Sequence, residues 1–360
     1  MSRVRTRRPR STPHLRPAAA LAAVALVVGL VGATATAAGA GARRSGSVTV
    51  HLGYFDNVTH APALVGLEGG IFAKKLGRNV ALSTTVFNAG PAAVEALFSG
   101  AIDIAYVGPN PAVNAFAQSH GQASRIVSGA ASGGASLVVK PTIKKASDLK
   151  GKTIATPQLG NTQDVALRTW LKSKALKTDT SGGGDVSIRP QDNAVTLTAF
   201  EQGQVQGAWV PEPWATRLVD EGGGKVLVDE ADLWPRGQFA TTVVIARKTF
   251  LDEHPDVVKR FLAANVAAID FIHTNRAEAE KLVAQRILKD TTKPIAANLV
   301  TASFDHITFT PDPIASSITK DVKNAEAVGV LEATDVKGIF DLKLLNQVLR
   351  ADNQSAVKSA

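Results

Sequence analysis

Short polar residues stand at three points where a strand-like segment is followed by a helix-like one. The three segments are Asn88–Pro91, Gly108–Pro111 and Gly160–Asp164. A helix start offers free backbone N–H groups and a partial positive charge, and nearby Asn, Thr and Gln side chains add hydrogen-bond donors. Such a start can bind an anion without a buried cation. Ordinary N-capping is the alternative for any single segment, but three of them at strand ends favour an anion-binding site.

Two aromatic loops follow strand-like segments in the same way. In Trp209–Trp214 (WVPEPW), two prolines stiffen a loop that carries two tryptophans, and Glu212 could accept a hydrogen bond or contact an amine. Tyr54–Asn57 has a similar place after the first strand, and His60 stands where it can cap or line the first helix. Such loops can form the wall of a pocket, although a structural turn with buried tryptophans is the alternative for the first of them.

Residue spacings that are typical of enzymes and metal sites are missing from this sequence. The seven histidines are scattered without metal-ligand spacing, and the sequence contains neither a G-x-S-x-G turn nor a dinucleotide-binding glycine motif after a strand. Gly151-Lys152-Thr153 resembles the end of a phosphate-binding loop, but Ala146 stands where the first glycine is required. Without cysteine the chain has no thiolate metal site or lipid attachment to a cysteine. The sequence therefore predicts a protein without a metal or a cofactor.

The net charge of +9 is concentrated at the start of the 360-residue chain. Residues 1–44 hold eight arginines and no acidic residue, which leaves 32 basic and 31 acidic residues in 45–360. The near-neutral remainder does not indicate a nucleic-acid partner. An arginine-rich region, the apolar run Ala18–Val31 and the following small residues predict an export signal peptide over residues 1–42. An uncleaved anchor is the alternative, because Ala18–Ala42 is uncharged for 25 residues.

Beyond this segment, short strand-like and longer helical segments alternate. Val48, Val50 and Leu52 show the period of two that is typical of a strand, and similar units repeat along the chain. This alternation predicts an α/β protein with two lobes, each a mainly parallel sheet flanked by helices, and a ligand cleft between them. We expect lobe 1 to comprise residues 47–140 and 238–350, lobe 2 to comprise 141–237, and residues 351–360 to form a C-terminal tail. Two crossings between lobes make a natural hinge.

From Ser47 to about Leu349 the chain resembles the substrate-binding proteins of ABC importers for aliphatic sulfonates, taurine and nitrate. The segments that carry the resemblance are Ala89–Pro91, Gly100–Ala105, Asp148–Lys152, Gly160–Asp164, Gly207–Trp214 and Ile307–Phe309. The resemblance implies the type II periplasmic-binding-protein fold and a monomer that holds a small anion between its lobes. It also implies delivery to a membrane permease with a separate ATPase subunit, and no enzymatic activity of the chain itself.

Motif position and chemistry together select the expected ligand-binding residues. For the charged head of a sulfonate-like anion these are Asn88, Gly90, Asn110, Asn161, Thr162 and Gln163. Phe55, Trp209 and Trp214 are expected to line the side of the ligand's tail, and the remaining expected ligand-binding residues are Asn57, His60, Gly108 and Glu212. Neutral hydroxyls, amides and helix starts suit a sulfonate, which is charged but carries no transferable proton near neutral pH.

Alternatives remain open at this level. Within the same fold, the ligand could be nitrate, bicarbonate or a pyrimidine precursor of thiamine. A thiamine-precursor synthase is the alternative of another class; it would need a reactive histidine in the cleft, for which His60 is the candidate. The export signal favours the binding protein. It predicts a location in a periplasm, at the cell surface or outside the cell.

Overall fold

A computed structural model of the protein describes residues 48–359, so the predicted signal peptide lies outside the described residues. Eleven strands occur in this part of the chain. They are β1 (Val48–Tyr54), β2 (Val80–Val86), β3 (Ile104–Val107), β4 (Ser124–Gly133), β5 (Ala135–Val139), β6 (Thr153–Thr156), β7 (Ser187–Pro190), β8 (Gly207–Pro211), β9 (Lys225–Asp229), β10 (Ala240–Arg247) and β11 (Ile307–Phe309).

Thirteen α-helices lie between and after these strands in the described residues, and several begin at a proline, which suits the first turn of a helix. They are α1 (Ala61–Glu68), α2 (Ile71–Leu76), α3 (Gly90–Phe98), α4 (Pro109–Gln118), α5 (Thr162–Ser173), α6 (Asn193–Glu201), α7 (Trp214–Asp220), α8 (Lys248–Glu253), α9 (Pro255–Thr274), α10 (Arg276–Thr291), α11 (Ala297–Asp305), α12 (Ala315–Ala327) and α13 (Lys343–Ala351). None of these helices is long and apolar enough to cross a membrane.

The strands form two sheets. One has six strands in the order β11-β4-β10-β3-β1-β2, and the other has five in the order β7-β6-β8-β5-β9. From the pairings, four of the six strands and four of the five point the same way within their sheets. The central strand β3 (IAYV) is buried throughout, as expected for a strand covered on both faces. The expectation of an α/β fold with two mainly parallel sheets is confirmed.

Helices cover the two sheets with separate apolar clusters. On the six-stranded sheet, α1, α9 and α10 contribute to one cluster, whereas α3, α4 and α12 contribute to another. On the five-stranded sheet, α5 contributes to one cluster, and α6 and α7 to another. Helices α3, α4 and α5, which begin at the three polar segments of the sequence, are therefore anchored by their buried faces. This packing holds their first turns in place.

The chain leaves the six-stranded sheet earlier than the sequence predicted. Strand Ala135–Val139 was expected in lobe 1, but it pairs with β8 and β9 of the five-stranded sheet. The chain therefore changes sheets at Gly133 and Gly134, both of which have a positive φ that favours glycine. The sequence could not predict which sheet this strand joins, because a buried apolar strand has the same residue pattern in either sheet. The chain returns between the end of β9 and the start of β10.

A buried carboxyl group lies in that returning connection. Glu230 is 1% exposed, and its Oε2 accepts a hydrogen bond of 2.7 Å from Nε1 of Trp209. Burial raises the pKa of Glu230 to about 7. Asp321 of helix α12 is also buried, and burial together with the charge of Glu230 raises the pKa of its carboxyl group as well. The connection thus contains one carboxyl group that resists ionisation, and a second such group lies near it in α12.

We expect Glu230→Gln to remove a loss of stability that occurs as the pH rises from about 4.5 to about 7. Between the ordinary pKa of about 4.5 and the raised value of about 7, the folded state binds more protons than the unfolded state, so stability falls as the pH rises through this window. Glutamine keeps an acceptor for Trp209 without a charge. The free energy of unfolding at pH 8 should therefore increase by on the order of 3 kcal/mol. Urea unfolding at pH 5 and pH 8 measures this, with exposed Glu253→Gln as the control; an equal change at both pH values would contradict it.

Candidate ligand-binding site

A small cavity, here called the inner cavity, lies where the carboxyl ends of strands from the two sheets meet. Its volume is about 20 Å³, which is room for about one water molecule. From the six-stranded sheet and its loops it is lined by Phe55, Asn57, Thr59, His60, Asn88, Gly108 and Thr241. From the five-stranded sheet it is lined by Pro157, Asn161, Gln163, Asn193 and Pro211. None of these twelve residues carries a formal charge, apart from a histidine that can be protonated.

Three helices start beside this cavity without capping themselves. The residues at the N-cap positions of α4, α5 and α6 are Gly108, Asn161 and Asp192, and none forms a side-chain hydrogen bond to its helix. The ordinary-capping alternative for Asn161 is therefore not what the structure shows. In the first turn of α4, Pro109 and Pro111 have no N–H, so that this turn offers the N–H of Asn110. The first N–H groups of α5 and α6, together with the helix dipoles, remain available to an anion.

Polar atoms without a hydrogen-bond partner cluster at the same helix starts. Both side-chain heteroatoms of Asn110, the Oγ1 of Thr162 and the Oδ1 of Asn193 are buried and have no partner among the described residues. Asn110 is 1% exposed and Thr162 is 2% exposed. An unsatisfied buried polar group costs about 1–3 kcal/mol. Their grouping at the first turns of α4, α5 and α6 indicates a site whose hydrogen bonds are completed by a ligand.

The histidine of the cavity is a neutral hydrogen-bond donor. The backbone N–H of Phe55 donates to Nδ1 of His60 over 3.3 Å, and the two rings are stacked with centroids 4.4 Å apart. Complete burial lowers the pKa of His60 to about 3. Because Nδ1 accepts a hydrogen bond, the proton of the neutral ring lies on Nε2. His60 can therefore donate one hydrogen bond to a ligand oxygen, but it is not a cation near neutral pH.

Two glycines allow close packing around the cavity. A Cβ atom on Gly108 would lie 2.2 Å from Oγ1 of Thr162, so glycine lets the starts of α4 and α5 meet across the two sheets. A Cβ atom on Gly90 would lie 2.1 Å from Cγ of Pro111. Gly90 does not line the inner cavity; it sets how closely α3 packs on α4, and its expected ligand contact is replaced by this supporting role.

Side-chain hydrogen bonds also join the two sheets at the cavity rim. Nε1 of Trp214 donates to Oδ1 of Asn57 over 2.9 Å, and Nδ2 of Asn88 donates to Oδ2 of Asp192 over 3.0 Å. In each pair one residue follows a strand of the six-stranded sheet, and the other follows a strand of the five-stranded sheet. These bonds form only when the two groups of loops are together.

We expect Trp214→Phe to weaken ligand binding about fivefold, because the closed arrangement loses one hydrogen bond of about 1 kcal/mol. The change should disappear in an Asn57→Ala background, where the acceptor is already missing. Calorimetric titration of the four proteins of this double-mutant cycle measures the coupling. Trp234→Phe is a matched control, since Trp234 stacks on Phe239 and does not line the inner cavity. A loss of equal size in both backgrounds would contradict the assigned bond.

Trp209 and Glu212 were expected to contact the ligand, and the structure corrects both expectations. Trp209 is fully buried against Trp170 in the core of the five-stranded sheet. Oε2 of Glu212 accepts from the backbone N–H of Thr216 over 3.0 Å and from Oγ of Ser303 over 3.3 Å, and burial raises the pKa of Glu212. Because β8 is buried on both faces, Trp209 packs in the core on one face of the five-stranded sheet. Glu212 follows the strand, and its carboxylate is held by groups of α7 and α11.

The remaining expected residues are brought together. Phe55, Asn57, His60, Asn88, Gly108, Asn161 and Gln163 line the inner cavity, while Asn110 and Thr162 are buried at the helix starts beside it. Sequence reasoning missed five lining residues: Thr59, Pro157, Asn193, Pro211 and Thr241. Asn193 could have been predicted from the sequence, because it is the first residue of α6 just after β7, in the same strand-to-helix pattern as the three segments that were recognised. Thr241 carried none, since it enters the site only through the antiparallel pairing of β10.

A second, larger cavity of about 370 Å³, here called the outer cavity, adjoins the inner one. The two share Asn57, Asn88 and Asn193. Much of the outer cavity is apolar, with Phe87, Trp214 and residues of α6 and α10 in its wall. Its charged lining residues are Asp56, Asp192, Arg217 and Lys293. The two cavities together could accommodate a ligand with a compact polar head and a carbon chain.

Two mainly parallel sheets flanked by helices are the fold that this chain shares with solved binding proteins, among them a ligand-binding component of an ABC-type import system from Staphylococcus aureus (TM-score 0.68 at 17% identity, covering 84% of this chain and 99% of that one). The chain belongs to the NMT1-like family, whose sequence profile matches residues 43–288. The family resemblance recognised in the sequence is thereby confirmed.

Relatives and solved structures agree with this assignment. The taurine-binding periplasmic protein of Escherichia coli (strain K12) is 32% identical over 207 residues, which cover 58% of this chain and 62% of that protein. The match thus spans less than two thirds of that relative. The alkanesulfonate-binding protein of Xanthomonas axonopodis pv. citri bound to MOPS has a TM-score of 0.64 at 20% identity, covering 79% of this chain and 95% of that one. The periplasmic nitrate-binding protein of Synechocystis PCC 6803 has a TM-score of 0.72 at 17% identity, covering 84% and 89%. These structures support the fold and leave the ligand open.

Proposed function

We propose that the protein is an exported solute-binding protein that captures an aliphatic sulfonate and delivers it to the permease of an ABC importer. The observation that carries the proposal is the group of unpartnered polar atoms on Asn110, Thr162 and Asn193 at three converging helix starts. Helix starts, amide and hydroxyl donors and the neutral His60 offer hydrogen bonds to three acceptor oxygens without requiring a cation. The similarity to a periplasmic taurine-binding protein supports the ligand class and an extracytoplasmic location.

The outer cavity favours an organic sulfonate over nitrate or bicarbonate. The polar lining of the inner cavity suits a small anionic head, for which the walls must widen beyond the space of about one water molecule. Nitrate and bicarbonate have no carbon chain to fill the adjoining 370 Å³. The apolar residues around Phe87 and Trp214 would contact such a chain. A synthase is not favoured, because Nδ1 of His60 is occupied by the N–H of Phe55 and burial holds the ring neutral.

Ligand capture in this scheme depends on closure of the two sheets around the ligand. A ligand stabilises the closed arrangement only if it gains contacts there. The starts of α4 and α5 come together only on closing, so an anion that bonds to both of them would satisfy this condition. The closed protein then presents one surface formed by both sheets to the permease, whose separate ATPase subunit drives uptake.

A thermal-unfolding screen with ethanesulfonate, taurine, nitrate, sulfate, bicarbonate and a hydroxymethyl-pyrimidine tests the ligand class. A bound ligand at about 100 times its dissociation constant should stabilise the protein by about 2.7 kcal/mol. We expect this shift with at least one sulfonate. A shift with nitrate or the pyrimidine and none with any sulfonate would overturn the assigned ligand class.

A further inference from the structure

A buried ion pair lies in the first two turns of α5. Nε of Arg168 is 2.9 Å from Oδ2 of Asp164, and the two side chains are 1% and 0% exposed. A spacing of four residues places both groups on one face of the helix. Taking two charges out of water costs free energy that their attraction offsets only in part, so such a pair is a weak source of stability. Asp164 follows Thr162 by two residues in the same turn, which places the pair where it can act on the anion site.

The carboxylate of Asp164 connects the end of β6 to the start of α5. Its Oδ1 accepts a hydrogen bond from Oγ1 of Thr156 over 3.0 Å, and its Oδ2 accepts from the backbone N–H of Gly160 over 3.0 Å. Thr156 is the last residue of β6, and Gly160 immediately precedes the N-cap residue Asn161. Pro157 and Asn161 of this segment line the inner cavity. One carboxylate thus joins the end of a strand, a cavity-lining loop and the first turn of a helix.

Arg168 in turn fixes the position of this carboxylate. Its Nη1 donates to the backbone carbonyl of Asp179, in the loop between α5 and β7. Oδ1 of Asp179 accepts hydrogen bonds from Oγ of Ser181 over 2.6 Å and from the N–H of Gly183 over 2.8 Å, so that loop has a defined shape. The rigid guanidinium is therefore held at both ends. Its Nη2 is buried without a partner among the described residues, which further reduces what the pair contributes to stability.

The guanidinium also cancels a charge that would oppose an anion. A carboxylate in the first turn of α5 would repel a sulfonate head bound at that turn, because like charges at short range are unfavourable. Arg168 neutralises it, so the carboxylate can accept from Thr156 and Gly160 without leaving a net negative charge. An asparagine in place of Asp164 would be uncharged, but it has one acceptor oxygen where these hydrogen bonds use two.

We propose that the Asp164–Arg168 pair is the positioning element of the anion site and arranges the start of α5 before a ligand arrives. The residues that it places are Asn161, Thr162 and Gln163. This inference deepens the proposed function and rests on it. Neither member of the pair lines the inner cavity, so the pair acts through the segment that it holds and not by contact with the ligand. Donors that are already arranged lose less conformational freedom on binding, and this is the gain in affinity that the pair provides.

The double variant Asp164→Asn/Arg168→Met tests the proposal, because it removes both charges at similar side-chain volume. We expect it to fold with a urea midpoint close to that of the wild type, since uncharged side chains can replace a buried ion pair without loss of stability. In calorimetric titration with ethanesulfonate and with taurine it should bind about tenfold more weakly or worse.

Amide hydrogen exchange of the ligand-free proteins, followed by NMR, distinguishes positioning from a general structural role. The N–H of Asn161 donates to the carbonyl of Gln158 over 3.1 Å and not to Asp164, so its exchange reports the shape of the loop. This amide should exchange about tenfold faster or more in the double variant, whereas the amides of β3 keep their wild-type protection. Thr156→Val, which removes one hydrogen bond to Asp164 and no charge, should change exchange and affinity in the same direction by a smaller factor.

Asp103→Asn/Arg247→Met is the matched control. It removes an aspartate–arginine pair, 2.6 Å apart, at the amino end of β3, away from the cavity, and should change neither the exchange of Asn161 nor the affinity. Wild-type affinity in the Asp164→Asn/Arg168→Met variant, or unchanged exchange of Asn161 in it and in Thr156→Val, would overturn the positioning role while leaving the proposed function intact. If the wild type binds no sulfonate, the proposed function fails, and the exchange measurements still decide whether the pair arranges the start of α5.

Discussion

Gly108→Ala is expected to lower ligand affinity by about 100-fold or more while leaving each sheet folded. Gly108 has φ −70° and ψ 161°, a conformation that alanine adopts without strain. The added Cβ would nevertheless lie 2.2 Å from Oγ1 and 3.3 Å from Cβ of Thr162. Because this clash arises only where the starts of α4 and α5 meet, it acts against closure. A penalty of about 3 kcal/mol on the closed arrangement corresponds to this loss.

Calorimetric titration and small-angle scattering together test this expectation. In the presence of the wild-type ligand, Gly108→Ala should keep the larger radius of gyration of an open protein. Combining it with Thr162→Ala removes the clashing oxygen and should restore the compact form, although binding stays weaker for want of the hydroxyl. Wild-type affinity in the single variant would show that the two helix starts do not meet around the ligand.

The second large effect is expected for Thr162→Val, which should raise stability and lower affinity at the same time. Oγ1 of Thr162 is buried without a partner, so its replacement by a methyl group should stabilise the protein by about 1 kcal/mol. If that hydroxyl donates to a bound sulfonate, its loss should weaken binding about 10- to 100-fold, since hydrogen bonds to charged groups contribute about 1.5–3 kcal/mol. Opposite signs for stability and affinity mark a binding residue rather than a structural one.

The same helix offers a matched control for this prediction. Thr169 of α5 also has a buried Oγ1 without a partner, but it lines a different cavity, beside Trp170 and Asp321. Thr169→Val should therefore raise stability to a similar extent and leave ligand binding unchanged. Urea unfolding and calorimetric titration of the two variants give the comparison. Equal affinity in both would remove Thr162 from the site.

Much of the candidate site was accessible from sequence because it depends on local signals. About ten residues are enough to recognise a strand that is followed by Gly, Asn or Pro and then by a helix start, as at Gly108 and Asn161. Parallel strands place such helix starts at one edge of a sheet, so the grouping of Asn88, Gly108 and Gln163 followed from the fold class. The same logic reaches Asn193, whose segment follows the same pattern.

The errors concern residues whose position depends on distant partners. Trp209 and Trp214 belong to one loop motif. Trp209 nevertheless packs in the core of the five-stranded sheet, whereas Trp214 donates a hydrogen bond to Asn57 across the cleft. Nothing in the spacing of WVPEPW separates these outcomes. Strand Ala135–Val139 likewise joins the second sheet through its pairing with β8, which lies about 70 residues further along the chain.

By itself, the sequence determined the α/β class, the family, the concentration of charge before residue 45 and the helix starts that could bind an anion. These properties are set by composition and by patterns within a few turns of the chain. Only the tertiary structure decided which helix starts meet and that Gly108 packs against Thr162. The physical reason is that burial, unpaired hydrogen bonds and pKa shifts arise from contacts between segments far apart in sequence, which become neighbours only when both sheets have formed.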